Sequence, residues 1–120
     1  MEGEKMERQF VETPTFSRQW SSMGLTDEDL REMQNFIMTH LDAKNIIPGT
    51  EGIRKIRWEA RGRGKRGGVR TIYIDFLSSE EIFFLYCYPK NQQDDLSERE
   101  KHVLNRIVRE LKNTLIPRGR

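Results

Sequence analysis

At 120 residues the chain is long enough for one compact core and too short for two. Its 35% hydrophobic content against 33% charged residues implies a thin core under a heavily charged surface. A net charge of only +2, with apolar residues at helical and strand spacings, argues against a chain disordered throughout, and the lack of any long apolar run or basic-then-apolar start excludes a membrane helix or secretory leader and favours the cytoplasm.

The first seven residues are polar and are expected to form a loose tail. Gln9 to Glu12 can form a short lead-in strand carrying Phe10 and Val11 inward. Thr13 followed by Pro14 has the form of an N-cap with proline in the first helical turn, opening a short helix that Gly24 closes. Phe16 and Trp20 share one face of it. A second helix starts at Thr26, which stands at capping-box spacing from Asp29, while Asp27 and Glu28 suit the positive end of the dipole. Leu30, Met33, Ile37 and Leu41 form its apolar stripe, widened by Phe36. Pro48 and Gly49 then mark a loop.

Between Ile53 and Ala60 the residues alternate, with Ile56 and Trp58 pointing one way and Lys55 and Arg57 the other. This predicts a half-buried strand with a cationic face. The glycine-rich basic stretch from Arg61 to Gly68 joins it to a second strand, about Val69 to Leu77, in a long hairpin. Ser78 to Glu81 turn into a third strand, Ile82 to Tyr88, apolar on both faces as a central strand should be. Cys87, the only cysteine, lies inside that run, cannot form an internal disulfide and is expected to act as a buried small hydrophobe. Beyond Pro89 and a polar loop, Ser97 and Glu100 form a second capping-box pair. They precede a helix whose stripe is Val103, Leu104, Ile107, Val108, Leu111 and Leu115, expected to be core, and residues 116 to 120 form a loose end. The order predicts a single α+β domain: a small antiparallel sheet, two N-terminal helices and one C-terminal helix.

Charge is distributed very unevenly. From Ile53 to Arg70 there are eight basic residues (Arg54, Lys55, Arg57, Arg61, Arg63, Lys65, Arg66, Arg70) against the single acid Glu59, so this segment carries +7 and the remainder −5. Such asymmetry is the footprint of a polyanionic partner. The plainer alternative is a solvated basic face, but arginine dominates the run, its planar fork suits phosphate oxygens, and the interspersed glycines let backbone amides approach a phosphate chain. RNA and an acidic protein both fit. A metal site is not expected, because His40 and His102 fall on separate helices without a cysteine pair or carboxylate cluster nearby. Nucleotide hydrolysis is not expected either, since Gly62, Gly64, Gly67 and Gly68 lack the spacing of a phosphate-binding loop and do not lead into a helix, and no cofactor is foreseen.

Four segments, ETPTFSRQ (12–19), IPGTEGIRKIRW (47–58), GRGKRGGVRTIY (62–73) and YPKNQQDDLSEREK (88–101), taken in this order and spacing, resemble the RelE/HigB toxins of type II toxin–antitoxin systems. The resemblance spans nearly the whole chain. It implies a microbial-ribonuclease-like α+β fold, cleavage of messenger RNA in the ribosomal A site, and inhibition by a cognate antitoxin of the helix-turn-helix, HigA-like kind, with operator DNA reached only through that antitoxin. It also implies a site. Lys55 and Arg57 match the paired basic positions of the first long strand, Arg70 the arginine opening the next, and Lys90 the basic residue after the third. The motif departs from the family at Pro89, where alanine is usual, and at Gln92 and Gln93, which replace a Glu-Lys pair.

Cleavage of RNA through its own 2′-hydroxyl needs a base, charge stabilisation at phosphorus and a proton for the departing 5′-oxygen. Lacking a suitable histidine pair, the chain must use lysine and arginine. Crowding by Arg54 and Arg57 makes Lys55 the candidate base, with Glu59 as the alternative. Arg70 would stabilise the phosphorane and Lys90 would serve the leaving oxygen. Arg54, Arg61, Arg63, Lys65 and Arg66, joined by Arg57, would hold RNA backbones, while Tyr88 and Asn91 offer base stacking or hydrogen bonding. Plainer alternatives are a salt bridge from Arg70 to Asp75 or Glu59, and a merely exposed Lys90. For the whole chain, the competing readings are a non-catalytic RNA- or ribosome-binding module and a domain whose basic face takes an acidic protein.

Overall fold

The computed structural model describes residues 7–41, 45–59, 68–93 and 95–116. In chain order these form β1 (Gln9–Glu12), α1 (Pro14–Ser22), α2 (Asp27–Met38), β2 (Arg54–Trp58), β3 (Val69–Phe76), β4 (Glu81–Pro89) and α3 (Glu98–Lys112). The caps lie where the sequence places them. Thr13 accepts a hydrogen bond from the Phe16 amide with Pro14 opening α1, and the Thr26/Asp29 and Ser97/Glu100 boxes are both closed. Gly24, at φ +76°, turns the chain out of α1 in a conformation that disfavours a β-carbon.

The strands form one sheet in the order β1-β4-β3-β2. The meander β2-β3-β4 is antiparallel, as expected, and the lead-in strand β1 adds to β4 in parallel, which makes the whole sheet mixed. Alternation along the strands sends side chains to two separate cores. On one face Ile56, Trp58, Val69, Tyr73, Ile82, Phe84 and Cys87 pack against Phe16 and Trp20 of α1 and Leu30, Met33 and Ile37 of α2. On the other, Ile72, Ile74, Phe76, Phe83, Leu85 and Tyr88 meet Leu104 and Val108 of α3. Each large apolar side chain buried in these layers contributes about 1.5–3 kcal/mol.

One irregularity sets which side chains share the basic face of the sheet. Ile72 pairs with Tyr86 and Tyr73 with Phe84, so Leu85 is an extra residue in β4. Strict alternation would keep Ile82, Phe84, Tyr86 and Tyr88 together on the α1/α2 side. The bulge reverses the phase, so Tyr86 and Tyr88 turn to the α3 side and Cys87 turns to α1, where its Sγ lies 3.9 Å from the Phe16 carbonyl.

The stripe expected to be core along α3 divides. Leu104 and Val108 are buried, whereas Val103 is 46% and Ile107 37% exposed. Successive helical residues are splayed by about 100°, so a flat sheet cannot cover both members of the 103/104 and 107/108 pairs. Polar contacts also fix α3 to the loop that feeds β2. Asn105 accepts from the Glu51 amide at 2.9 Å and donates to the Gly49 carbonyl at 3.2 Å, and Arg109 pairs with Glu51 at 3.1 Å.

Candidate nucleic-acid interface and active site

The expected outer face of β2 is formed as predicted: Ile56 and Trp58 are buried, while Lys55 is half-buried and Arg57 exposed. Register then assembles the site. Arg57 is directly opposite Arg70, and Arg70 is directly opposite Tyr88, so these three residues form one row across β2, β3 and β4. The adjoining row is Lys55, Ile72 and Tyr86. Directly opposed residues hold their β-carbons about 5 Å apart, so three cations and two phenols share one patch of sheet. This patch lies on the α3 face of the sheet, where Tyr86 reaches Glu100 in the first turn of that helix.

Within the patch, two buried polar atoms have no hydrogen-bond partner among the described residues: Nε of Arg70 and the hydroxyl of Tyr88. Buried donors are ordinarily satisfied, so these two, in one row, are open to an external acceptor. Burial pushes the Tyr88 phenol up to about 12, opposed by the neighbouring Arg70 charge, which keeps this hydroxyl a donor at neutral pH. At 2% exposure Tyr88 cannot offer its ring face for stacking, and its ring lies 5.7 Å from that of Tyr86. What it can offer is the hydroxyl.

Lys55 has a partner that the sequence did not suggest. Its Nζ donates to Oδ1 of Asp95 at 2.7 Å, so the nearest charge is an anion, not the crowd of arginines expected there. Lys55, by hydrogen bond and by charge, holds the Asp95 carboxyl below the usual carboxylate range, with Arg70 and Lys101 adding to the effect. Arg54 faces away from the row: it is buried on the opposite face, and its guanidinium donates to the Leu41 carbonyl at 2.9 Å. That placement follows from strand alternation, which separates neighbours on β2. Asp75, the plainer partner considered for Arg70, is engaged by Arg8 through contacts of 2.6 and 3.2 Å.

The end of the patch is set by Lys90, whose amide donates to the Gly68 carbonyl at 2.8 Å and so ties the turn after β4 to the start of β3. Lys90 is half-buried and Asn91 exposed in that turn. Arg61, Arg63, Lys65 and Arg66 lie outside the described residues. The loop after β4 is braced by residues that sequence reasoning missed. Glu100, beyond its capping role, accepts from Tyr86 at 3.1 Å and from Gln93 at 3.1 Å, and Gln93 also donates to the Asp95 carbonyl at 3.0 Å. The capping box pointed to Glu100 as a helix residue; its second use depends on the bulge that turns Tyr86 toward it. No group of three or more potential metal ligands is found among the described residues, and no helix there is long and apolar enough to cross a membrane.

Comparison with known proteins places this arrangement in context. Among solved structures, the fold is similar to a double arginine-to-alanine mutant of the E. coli toxin RelE in its free state, with a TM-score of 0.54 at 14% identity over 87% of this chain and 98% of that one. The family model described as the RelE toxin of the RelE/RelB toxin–antitoxin system matches residues 8–115, a span that includes every strand and helix described above. The chain therefore belongs to the RelE toxin family.

Proposed function

We propose that this protein is the toxin of a type II toxin–antitoxin pair and cleaves messenger RNA in the A site of the ribosome, with Lys55, Arg57, Arg70 and Lys90 as its catalytic set. The observation that carries the reading is the Arg57–Arg70–Tyr88 row, with Lys55 alongside and two unsatisfied buried donors within it. Like charges directly opposed on a sheet work against folding, so an arginine pair at this position points to a requirement other than stability.

In the proposed reaction the 2′-oxygen attacks the adjacent phosphorus, the bond to the 5′-oxygen breaks, and the products are a cyclic phosphate and a free 5′-hydroxyl. Arg70, joined by the Tyr88 hydroxyl, meets the charge that develops on the phosphorane, which is where a preorganised donor has its largest effect. Lys55 receives the 2′-hydroxyl proton, a role that requires the neutral amine and so is open to it only after it gives up both Asp95 and its own proton; Glu59, exposed just past the end of β2, is the alternative base. Lys90 supplies the leaving oxygen with a proton. Arg57, opposite Arg70, holds the scissile phosphate and, with Arg61, Arg63, Lys65 and Arg66, the ribosomal and messenger RNA backbones, adding salt-sensitive affinity. Arg54 supports the site from behind by holding the chain beyond α2 at the Leu41 carbonyl.

The proposed partners are the ribosome with its messenger RNA and an inhibitory antitoxin of the helix-turn-helix, HigA-like kind, through which operator DNA would be reached; the proposed compartment is the cytoplasm, where ribosomes work. The test is translation in a purified system with and without ribosomes, comparing the natural chain with Arg70→Ala and Lys90→Ala. Ribosome-dependent cleavage abolished by either substitution supports the reading, and intact RNA with the protein bound to ribosomes replaces it with a non-catalytic binding module.

A further inference from the structure

Among the described residues, the anion hydrogen-bonded within the cationic patch is the chain's own. Asp95 lies in the loop between β4 and α3, two residues before the Ser97 cap, with its carboxylate 2.7 Å from Lys55 Nζ. Arg70 and Lys101 act on the same carboxylate, so it sits where the fields of three cations overlap. Its surroundings separate a pinned backbone from a free side chain. The Asp95 carbonyl is held by Gln93, which is itself held by Glu100, whereas the Asp95 side chain is 70% exposed. A carboxylate so presented can swing off Lys55 without disturbing the fold.

We propose that Asp95 is an internal counter-ion: in the free protein it occupies a phosphate position on the RNA-binding face, and an RNA phosphate must displace it from Lys55 to bind there. This rests on the RNA reading above and adds a selectivity device to it. A tethered carboxylate competes at an effective concentration on the order of millimolar, so an isolated phosphodiester meeting Lys55 alone is disfavoured. An exposed ion pair is weak, however, and RNA held by several other contacts displaces it readily. Asp95 thereby favours RNA already positioned by the rest of the interface over stray strands, and it keeps Lys55 occupied until such RNA arrives.

The test uses the full chain with Asp95→Asn, Lys55→Met and the double variant, each first shown to be folded by circular dichroism. Binding of a short 2′-O-methyl RNA, which cannot be cleaved, is followed by fluorescence anisotropy at low salt. Asp95→Asn is expected to tighten binding about threefold in the natural background and to have no effect once Lys55 is methionine. An unchanged affinity for Asp95→Asn overturns the proposal. An equal gain in the Lys55→Met background also overturns it, because removal of a negative charge would then act through the general field and not through Lys55. If none of the proteins binds RNA, the RNA reading itself fails and this proposal fails with it, whereas binding without cleavage in the ribosome assay removes only the catalytic assignment.

Discussion

Arg57 and Arg70 face each other directly across β2 and β3, and Arg70 in turn faces Tyr88 across β3 and β4. Two arginines in register repel, and the cost falls on folding, whereas the benefit appears only when an anion bridges them. Replacing Arg70 by alanine should therefore divide the two properties. Ribosome-dependent cleavage is expected to fall by about 100-fold or more, the usual effect of removing one transition-state donor. Thermal stability is expected to stay the same or rise slightly. A variant that cleaves normally would remove Arg70 from the site, and one that fails to fold would assign it a structural role.

Gly68 controls the same region through space, not charge. A β-carbon there would stand 3.0 Å from the Trp58 carbonyl oxygen, 3.2 Å from Cγ of Glu59 and 3.4 Å from Cγ of Arg57. The first of these is backbone and cannot yield without moving β2 from β3. Gly68→Ala should cost about 1–3 kcal/mol of stability by overpacking. Because the Gly68 carbonyl also receives the Lys90 amide, cleavage should fall by more than this loss of folded protein explains. Urea unfolding alongside a cleavage assay on the folded fraction checks both parts, and unchanged stability would contradict the close approach.

How much of this could be read from the sequence varied with the range of the interaction. Caps and helical stripes are local, and Thr13, Thr26/Asp29 and Ser97/Glu100 announced their helices correctly. The alternation of Ile56 and Trp58 against Lys55 and Arg57 likewise gave the cationic face of β2. Arg54, expected to hold RNA as part of the basic run, instead lies on the buried side of β2, where the same alternation places it, because a sum of charges carries no information about which face each residue takes. The phase change at Leu85 left no comparable signal: ILE-PHE-PHE-LEU-TYR-CYS-TYR is apolar throughout, so nothing in the pattern shows where a residue is skipped. Without that skip, Tyr86 and Tyr88 cannot be assigned to the basic face. Asp95 was hidden for a different reason, since it approaches Lys55 across 40 residues of chain and neither residue sits in a shared motif.

At the far end of β3 from the site, Arg8 and Asp75 form a two-point ion pair whose side chains are 7% and 0% exposed. It joins the approach to β1 to a strand two positions away in the sheet. Removing one member of a buried pair leaves the other as an uncompensated charge, so Arg8→Ala should destabilise the fold by about 3–5 kcal/mol. Arg8→Met combined with Asp75→Leu should recover much of that loss, because the pair then disappears together. Equilibrium urea denaturation of the three proteins decides the matter. A loss below about 1 kcal/mol for Arg8→Ala would mean that the pair is solvated.

Cys87 allows the packing of α1 on β4 to be tested by pH. Burial, helped by the charge of Glu12, pushes its thiol from 9.0 up to about 12. An unfolded chain loses this proton from about pH 9 upward while the folded chain keeps it, so the unfolded state binds fewer protons across that window. Stability should therefore be fully present below about pH 9 and decline as the pH rises toward 12, with Tyr88 adding to the decline in the same direction because burial also pushes its phenol up to about 12. Cys87→Ala should flatten the curve around pH 9, below the range in which unfolded tyrosine ionises, even though the substitution lowers stability at neutral pH. The folded protein should also resist iodoacetamide at pH 8 and react readily in urea, since the thiolate is both scarce and covered. Rapid alkylation under native conditions, or an alkaline stability slope that Cys87→Ala leaves unchanged, would show that α1 does not shield β4 as described.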